Sequence, residues 1–111
     1  MIEQVTVTAL KHLIDTTNPT IIDVREHWEF EQGHVPGARW VPMAMVPGRQ
    51  DEFSSDQPVY VVCRSGNRSG QVVMWLAQQG IRTVNVAGGT AEWQSHGYPI
   101  DTTPAERTLT S

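Results

Sequence analysis

Cys63 ends the apolar run Pro58-Val59-Tyr60-Val61-Val62 and opens the segment Arg64-Ser65-Gly66-Asn67-Arg68-Ser69-Gly70, after which Val72 starts a new apolar stretch. A strand that stops at a cysteine, followed by a short loop rich in Gly and Arg and then a helix, is a way to build a reactive thiolate. The loop's N–H groups and the helix N-terminus place partial positive charge where a sulfur anion would sit. A free thiol is mostly protonated at neutral pH, and surroundings of this kind convert it into a nucleophile. Arg64 and Arg68 add full charges able to hold an anionic substrate by paired hydrogen bonds. Ser65, Gly66, Asn67 and Ser69 act through their backbone, with Gly66 and Asn67 expected to supply unusual backbone angles.

Cys63 is the only cysteine of the chain. An internal disulfide is excluded, and a thioredoxin-like exchange would lack a resolving thiol. The start Met1-Ile2-Glu3-Gln4 has neither the basic nor the apolar character of a secretory leader, so a reducing cytoplasm is the expected location. The four histidines, His12, His27, His34 and His96, fall into no compact ligand pattern, and no metal site is expected. A net charge of −4 argues against general affinity for nucleic acid or an anionic membrane surface. The basic residues are seven arginines and one lysine, Lys11. Two of those arginines lie in the cysteine loop.

The elements that must position this loop follow from the punctuation of the chain. A length of 111 residues suits one compact domain, here placed at residues 1–100 with a polar tail at 101–111. Val5 and Val7 alternate with threonines and predict a short edge strand, with Thr8 capping a helix from Ala9 to Ile14. Ile21 to Val24 and Val84 to Ala87 are short apolar runs typical of buried parallel strands, as is Val59 to Val62. Glu26 to Gln32 predicts a brief helix ended by Gly33, and Trp40-Val41 a possible strand before an irregular stretch marked by Pro42, Pro47 and Gly48. A helix is expected over Ser69–Gln79 with Gly80 as its cap, and another after Gly88-Gly89 around Trp93. Trp75 and Trp93 are assigned to the core, whereas Trp28 and Trp40 are candidates to line a crevice. Alternating strands and helices indicate a three-layer α/β/α fold with a mainly parallel central sheet. Ligands of such sheets bind beyond the carboxyl ends of the strands, where both Cys63 and Asp23-Val24-Arg25 fall.

Four segments, in order and spacing, resemble the rhodanese family of sulfurtransferases. They are Ile22-Asp23-Val24-Arg25-Glu26, Gly33-His34-Val35-Pro36-Gly37-Ala38, the loop Cys63 to Ser69, and Gly88-Gly89 followed by Trp93. The resemblance spans about Val5 to Pro99 and implies a single rhodanese-like domain. It implies that the Cys63 thiolate takes the outer sulfur of thiosulfate, or of a persulfide donor, and holds it as a persulfide. The N–H groups from Arg64 to Ser69 would cradle that sulfur, Arg64 and Arg68 would bind the donor's sulfonate, and no metal or organic cofactor is implied. With no second cysteine, the sulfur must pass to an external acceptor: cyanide, a thiol or a partner protein.

Asp23 and Arg25 are supporting residues. A strand-end aspartate caps nearby N–H groups or orients the loop, and Arg25 is expected to pair with Glu26, Glu29 or Glu31. His34, in its Gly-His-Val-Pro-Gly setting, is a turn histidine packed on the sheet. Two other readings compete. Phosphatases and arsenate reductases with related loops place five residues between cysteine and arginine, whereas four separate Cys63 from Arg68. A carrier module would accept sulfur yet release it quickly only to its own partner.

Overall fold

The computed structural model describes residues 2–102 and 104. Five strands form one sheet in the order β1-β5-β4-β2-β3, and every pairing is parallel. The strands are β1 (Gln4–Val5), β2 (Thr20–Asp23), β3 (Arg39–Trp40), β4 (Val59–Val62) and β5 (Val84–Val86). The helices are α1 (Val7–Thr16), α2 (His27–Gln32), α3 (Asn67–Gln78) and α4 (Gly89–Ser95). No helix among the described residues is long and apolar enough to cross a membrane.

Alternation along the central strands divides the core in two. Ile21, Tyr60, Val62, Val84 and Val86 face one side, where they meet Val7 and Leu10 of α1, Phe30 of α2 and Trp93 of α4. Ile22, Val59, Val61 and Cys63 face the other, against Val72, Val73 and Leu76 of α3 and Val46 and Phe53. The result is the three-layer arrangement expected from the sequence. Cys63 continues the β4 alternation, which points its side chain toward the start of α3.

Several boundaries differ from those expected. Thr6, not Thr8, caps α1, accepting a hydrogen bond from the Ala9 N–H at 3.0 Å. Val7 therefore belongs to the helix and is buried there rather than extending the edge strand. The helix after the cysteine starts at Asn67, two residues early, because Gly66 makes the turn by itself at φ 101°. Asn67 is helical, and every positive φ among the described residues belongs to a glycine. The stretch read as irregular is a 3-10 segment, Met43–Phe53, broken at Arg49. At the far end, Asp101 exchanges backbone hydrogen bonds of 2.9 Å each way with His34. Ordered pairing thus extends one residue past the expected domain boundary; 103 and 105–111 of the expected tail lie outside the described residues.

Candidate active site

The parallel sheet brings the ends of β2 and β4 side by side: Asp23 is in register with Val62, and the Val24 N–H bonds the Val62 carbonyl at 3.0 Å. Cys63 follows Val62 and is wholly buried. Its sulfur receives the Gly66 N–H at 3.1 Å and lies 3.3 Å from the Ser69 hydroxyl. Burial pushes the thiol up, but the Ser69 hydroxyl and the N–H groups of Ser69, Gly66 and Ser65 outweigh it and leave the group below its ordinary value. The far side of the residue is fixed as well. The Cys63 carbonyl accepts from Thr90 N at 2.8 Å and Thr90 Oγ1 at 3.0 Å, and the Arg64 carbonyl accepts from Ala91 N at 2.9 Å.

This docking of α4 under the loop explains Gly89. A Cβ on Gly89 would lie 2.6 Å from the Arg64 carbonyl oxygen and would also strike that of Cys63. Gly89 is glycine because the loop's backbone occupies the space of a side chain.

The two loop arginines have different surroundings. Arg68 donates from Nη1 and Nη2 to the two carboxylate oxygens of Glu29 at 2.7 and 2.9 Å. Glu29 is buried and also accepts the Glu26 N–H at 3.0 Å, which closes the capping box of α2. The Arg68 hydrogen bonds, opposed by burial and aided by that N–H, hold the Glu29 carboxyl at about 2. Arg64 is exposed and borders a cleft of about 190 Å³ together with Trp28, Gln32, Gly33 and Gln94. Trp28, 56% exposed, lies on that cleft, whereas Trp40 is turned inward and donates its ring N–H to the Arg25 carbonyl at 2.8 Å. Trp93 is buried, but Trp75 only flanks the core and lines an open groove with Met43, Val46 and Pro47.

Arg25 does not pair with Glu26, Glu29 or Glu31 as expected; its partner is Asp23. Nε lies 3.0 Å from Oδ1 and Nη2 lies 2.9 Å from Oδ2, while Asp23 Oδ1 also caps the Arg25 N–H at 3.0 Å. Residues two apart at the end of an extended strand lie on one side, so the nearer acid captures the arginine. Arg25 Nη2 also reaches the Gly33 carbonyl at 2.8 Å, tying β2 to the turn before His34. His34 is buried, stacked on Phe30 with centroids 3.6 Å apart, and its Nδ1 lies 2.7 Å from the Phe30 carbonyl.

Two site residues escaped the sequence reading. Glu29 entered only as a candidate partner of Arg25, because nothing in the sequence links it to Arg68, 39 positions away. Asn85 has a signal in the sequence, as the polar residue inside the buried Val84–Val86 strand. It is 2% exposed and bonds both the Ser69 hydroxyl and the Gly66 carbonyl.

Comparison with known proteins agrees with this geometry. Residues 6–96 match the Rhodanese-like domain family. A protein of Allochromatium vinosum named "Sulfurtransferase" is 41% identical over 91 residues, covering 81% of this chain and 85% of that one. The crystal structure of a rhodanese-related protein from Thermoplasma volcanium is 29% identical and superposes with a TM-score of 0.82, over 90% of this chain and 98% of that one. SSP1007 of Staphylococcus saprophyticus is 39% identical at a TM-score of 0.80, over 88% and 99%. A parallel five-stranded sheet with a cysteine loop at its carboxyl edge, matched over most of its length, places this chain in the rhodanese-like domain family.

Proposed function

We propose that the chain is a sulfurtransferase that carries sulfane sulfur on Cys63. The observation that supports this most directly is the sulfur itself, held at the N-terminus of α3 with the Gly66 N–H 3.1 Å away. The Cys63 thiolate attacks the outer sulfur of thiosulfate, the sulfur–sulfur bond of the donor breaks, and sulfite leaves with the electron pair. The new terminal sulfur, as an anion, takes the loop N–H groups between Arg64 and Ser69. Cyanide, a thiol or a partner protein then attacks that outer sulfur and releases the Cys63 thiolate. No step calls for a metal or an organic cofactor. A lone thiol suits a reducing compartment such as the cytoplasm.

Arg64, on the open cleft, is the contact for a donor's sulfonate. Arg68, bound to Glu29, supports the site by its charge, and Asp23 and Arg25 brace the strand end that adjoins it. The commitment of Arg68 to Glu29 favours a second reading, in which a persulfide is the donor and the protein hands its sulfur to a dedicated partner. Phosphoryl chemistry is disfavoured by the same ion pair, since the arginine that would line an oxyanion is turned to a carboxylate.

The test is the intact mass of the reduced protein after thiosulfate and again after cyanide, with Cys63→Ser as control. A gain of one sulfur on the native chain alone, removed by cyanide as thiocyanate forms, is the expected result. A native chain that gains no sulfur from thiosulfate or from persulfide donors overturns the proposal.

A further inference from the structure

The Ser69 hydroxyl has a single proton and two acceptors within reach: Cys63 Sγ at 3.3 Å and Asn85 Oδ1 at 2.6 Å. Which way Asn85 points is decided by its other end. Its Nδ2 lies 3.2 Å from the Gly66 carbonyl oxygen, which can only accept, so the amide nitrogen must face Gly66 and the oxygen must face Ser69. A further bond from Nδ2 to Gln4 Oε1 at 2.9 Å, on the edge strand β1, is compatible with the same orientation. When the Ser69 proton lies on the shorter contact, the hydroxyl turns a lone pair to the sulfur and can accept from a Cys63 S–H. When the sulfur is a thiolate, the same proton must swing away from Asn85 to meet it.

We propose that Asn85 is a positioning residue for the nucleophile: it competes with the Cys63 sulfur for the one Ser69 hydroxyl proton, and so limits the hydrogen bond the thiolate receives. The competition also tracks the sulfur's charge. In a persulfide the negative charge moves to the outer sulfur, Sγ becomes neutral, and the hydroxyl returns to Asn85. The inference rests on the reading of Cys63 as the nucleophile, but its test needs no sulfur donor.

That test is a pH titration of thiolate ultraviolet absorbance, each protein read against its own Cys63→Ser counterpart so that the two tyrosines, which absorb in the same region when ionised, cancel and Cys63 alone is reported. The charged groups near the sulfur are Arg64 beside it in the loop, Arg68 on α3, Glu29 on α2 bound to it, and the Asp23–Arg25 pair ending β2; α4 and β5 contribute Thr90 and Asn85. All five charges are present in every variant and cancel in the comparison. In Asn85→Ala the freed hydroxyl serves the thiolate alone, and the midpoint is expected to fall by about one pH unit, a tenfold gain in thiolate at a fixed pH below it. A role in bracing the loop and nothing more would loosen the cradle and raise the midpoint. An unchanged or higher midpoint overturns the proposal, as does an equal fall when Asn85→Ala is made in a Ser69→Ala background. Ser69→Ala by itself provides a check that leaves Asn85 in place. Its midpoint is expected to rise by no more than about half a unit, because the hydroxyl is shared. A rise of about one unit or more would show that the hydroxyl belongs to the sulfur and would refute the competition.

Discussion

At the scale of single residues, the site works by partition of charge. Hydrogen bonds hold the Cys63 thiol below its ordinary value against the opposing effect of burial, so thiolate persists as pH falls below the ordinary thiol range. Alkylation of Cys63 by iodoacetamide is therefore expected to decline only as pH drops through that lowered value, with a midpoint below that of a free cysteine peptide. The arginines divide the remaining work. Arg64→Ala is expected to raise the KM for thiosulfate several-fold and leave the melting temperature unchanged, because its guanidinium faces the open cleft. Arg68→Ala strands a buried carboxylate at Glu29 and is expected to cost about 1–2 kcal/mol of stability, a value reduced by the partial exposure of Arg68. Steady-state kinetics beside thermal unfolding separate the two effects.

At the scale of elements, the thiolate depends on how closely α4 approaches the loop. Gly89→Ala must drive a methyl group into the carbonyls of Cys63 and Arg64, and Gly89 lies at φ 57°, where alanine is strained as well. The variant is expected to lose about 1–3 kcal/mol in denaturant unfolding and most of its transfer rate. Much of this arrangement was legible beforehand. The runs Ile21 to Val24, Val59 to Val62 and Val84 to Ala87 announced the central strands, because apolar stretches that short admit few other fates. The start of α1 is ambiguous in the sequence, since Val5-Thr6-Val7-Thr8 satisfies strand alternation and offers two capping threonines; burial of Val7 against the sheet decides between them. The start of α3 was obscured because Asn67 and Arg68 have the composition of a loop. The Asp23–Arg25 pair was within reach of strand periodicity alone. The Glu29–Arg68 pair was not, since it arises only when β2 and β4 are laid side by side.

At the scale of the whole molecule, one ion pair joins the two sides of the site and makes stability depend on acid. Glu29 is held at about 2, below an unfolded carboxyl near 4.5, so its contribution is complete above the unfolded value and vanishes as pH falls toward the folded one. The melting temperature is expected to drop between those limits, and to drop less in Glu29→Gln, which is already deprived of the pair. Equal acid sensitivity in both proteins would assign the loss to other carboxylates. The sheet itself imposes a different constraint. Cys63 is pinned by its carbonyl to Thr90 and by its sulfur to Gly66, at the carboxyl end of the central strand of a parallel sheet. In the proposed role of sulfur carrier, Cys63 is a fixed station, unlike the swinging arm of a mobile carrier. Under that proposal, cargo loaded there is not delivered over any distance, and every recipient is expected to bring its own reactive atom down to the loop, either as a small molecule or on a protruding segment.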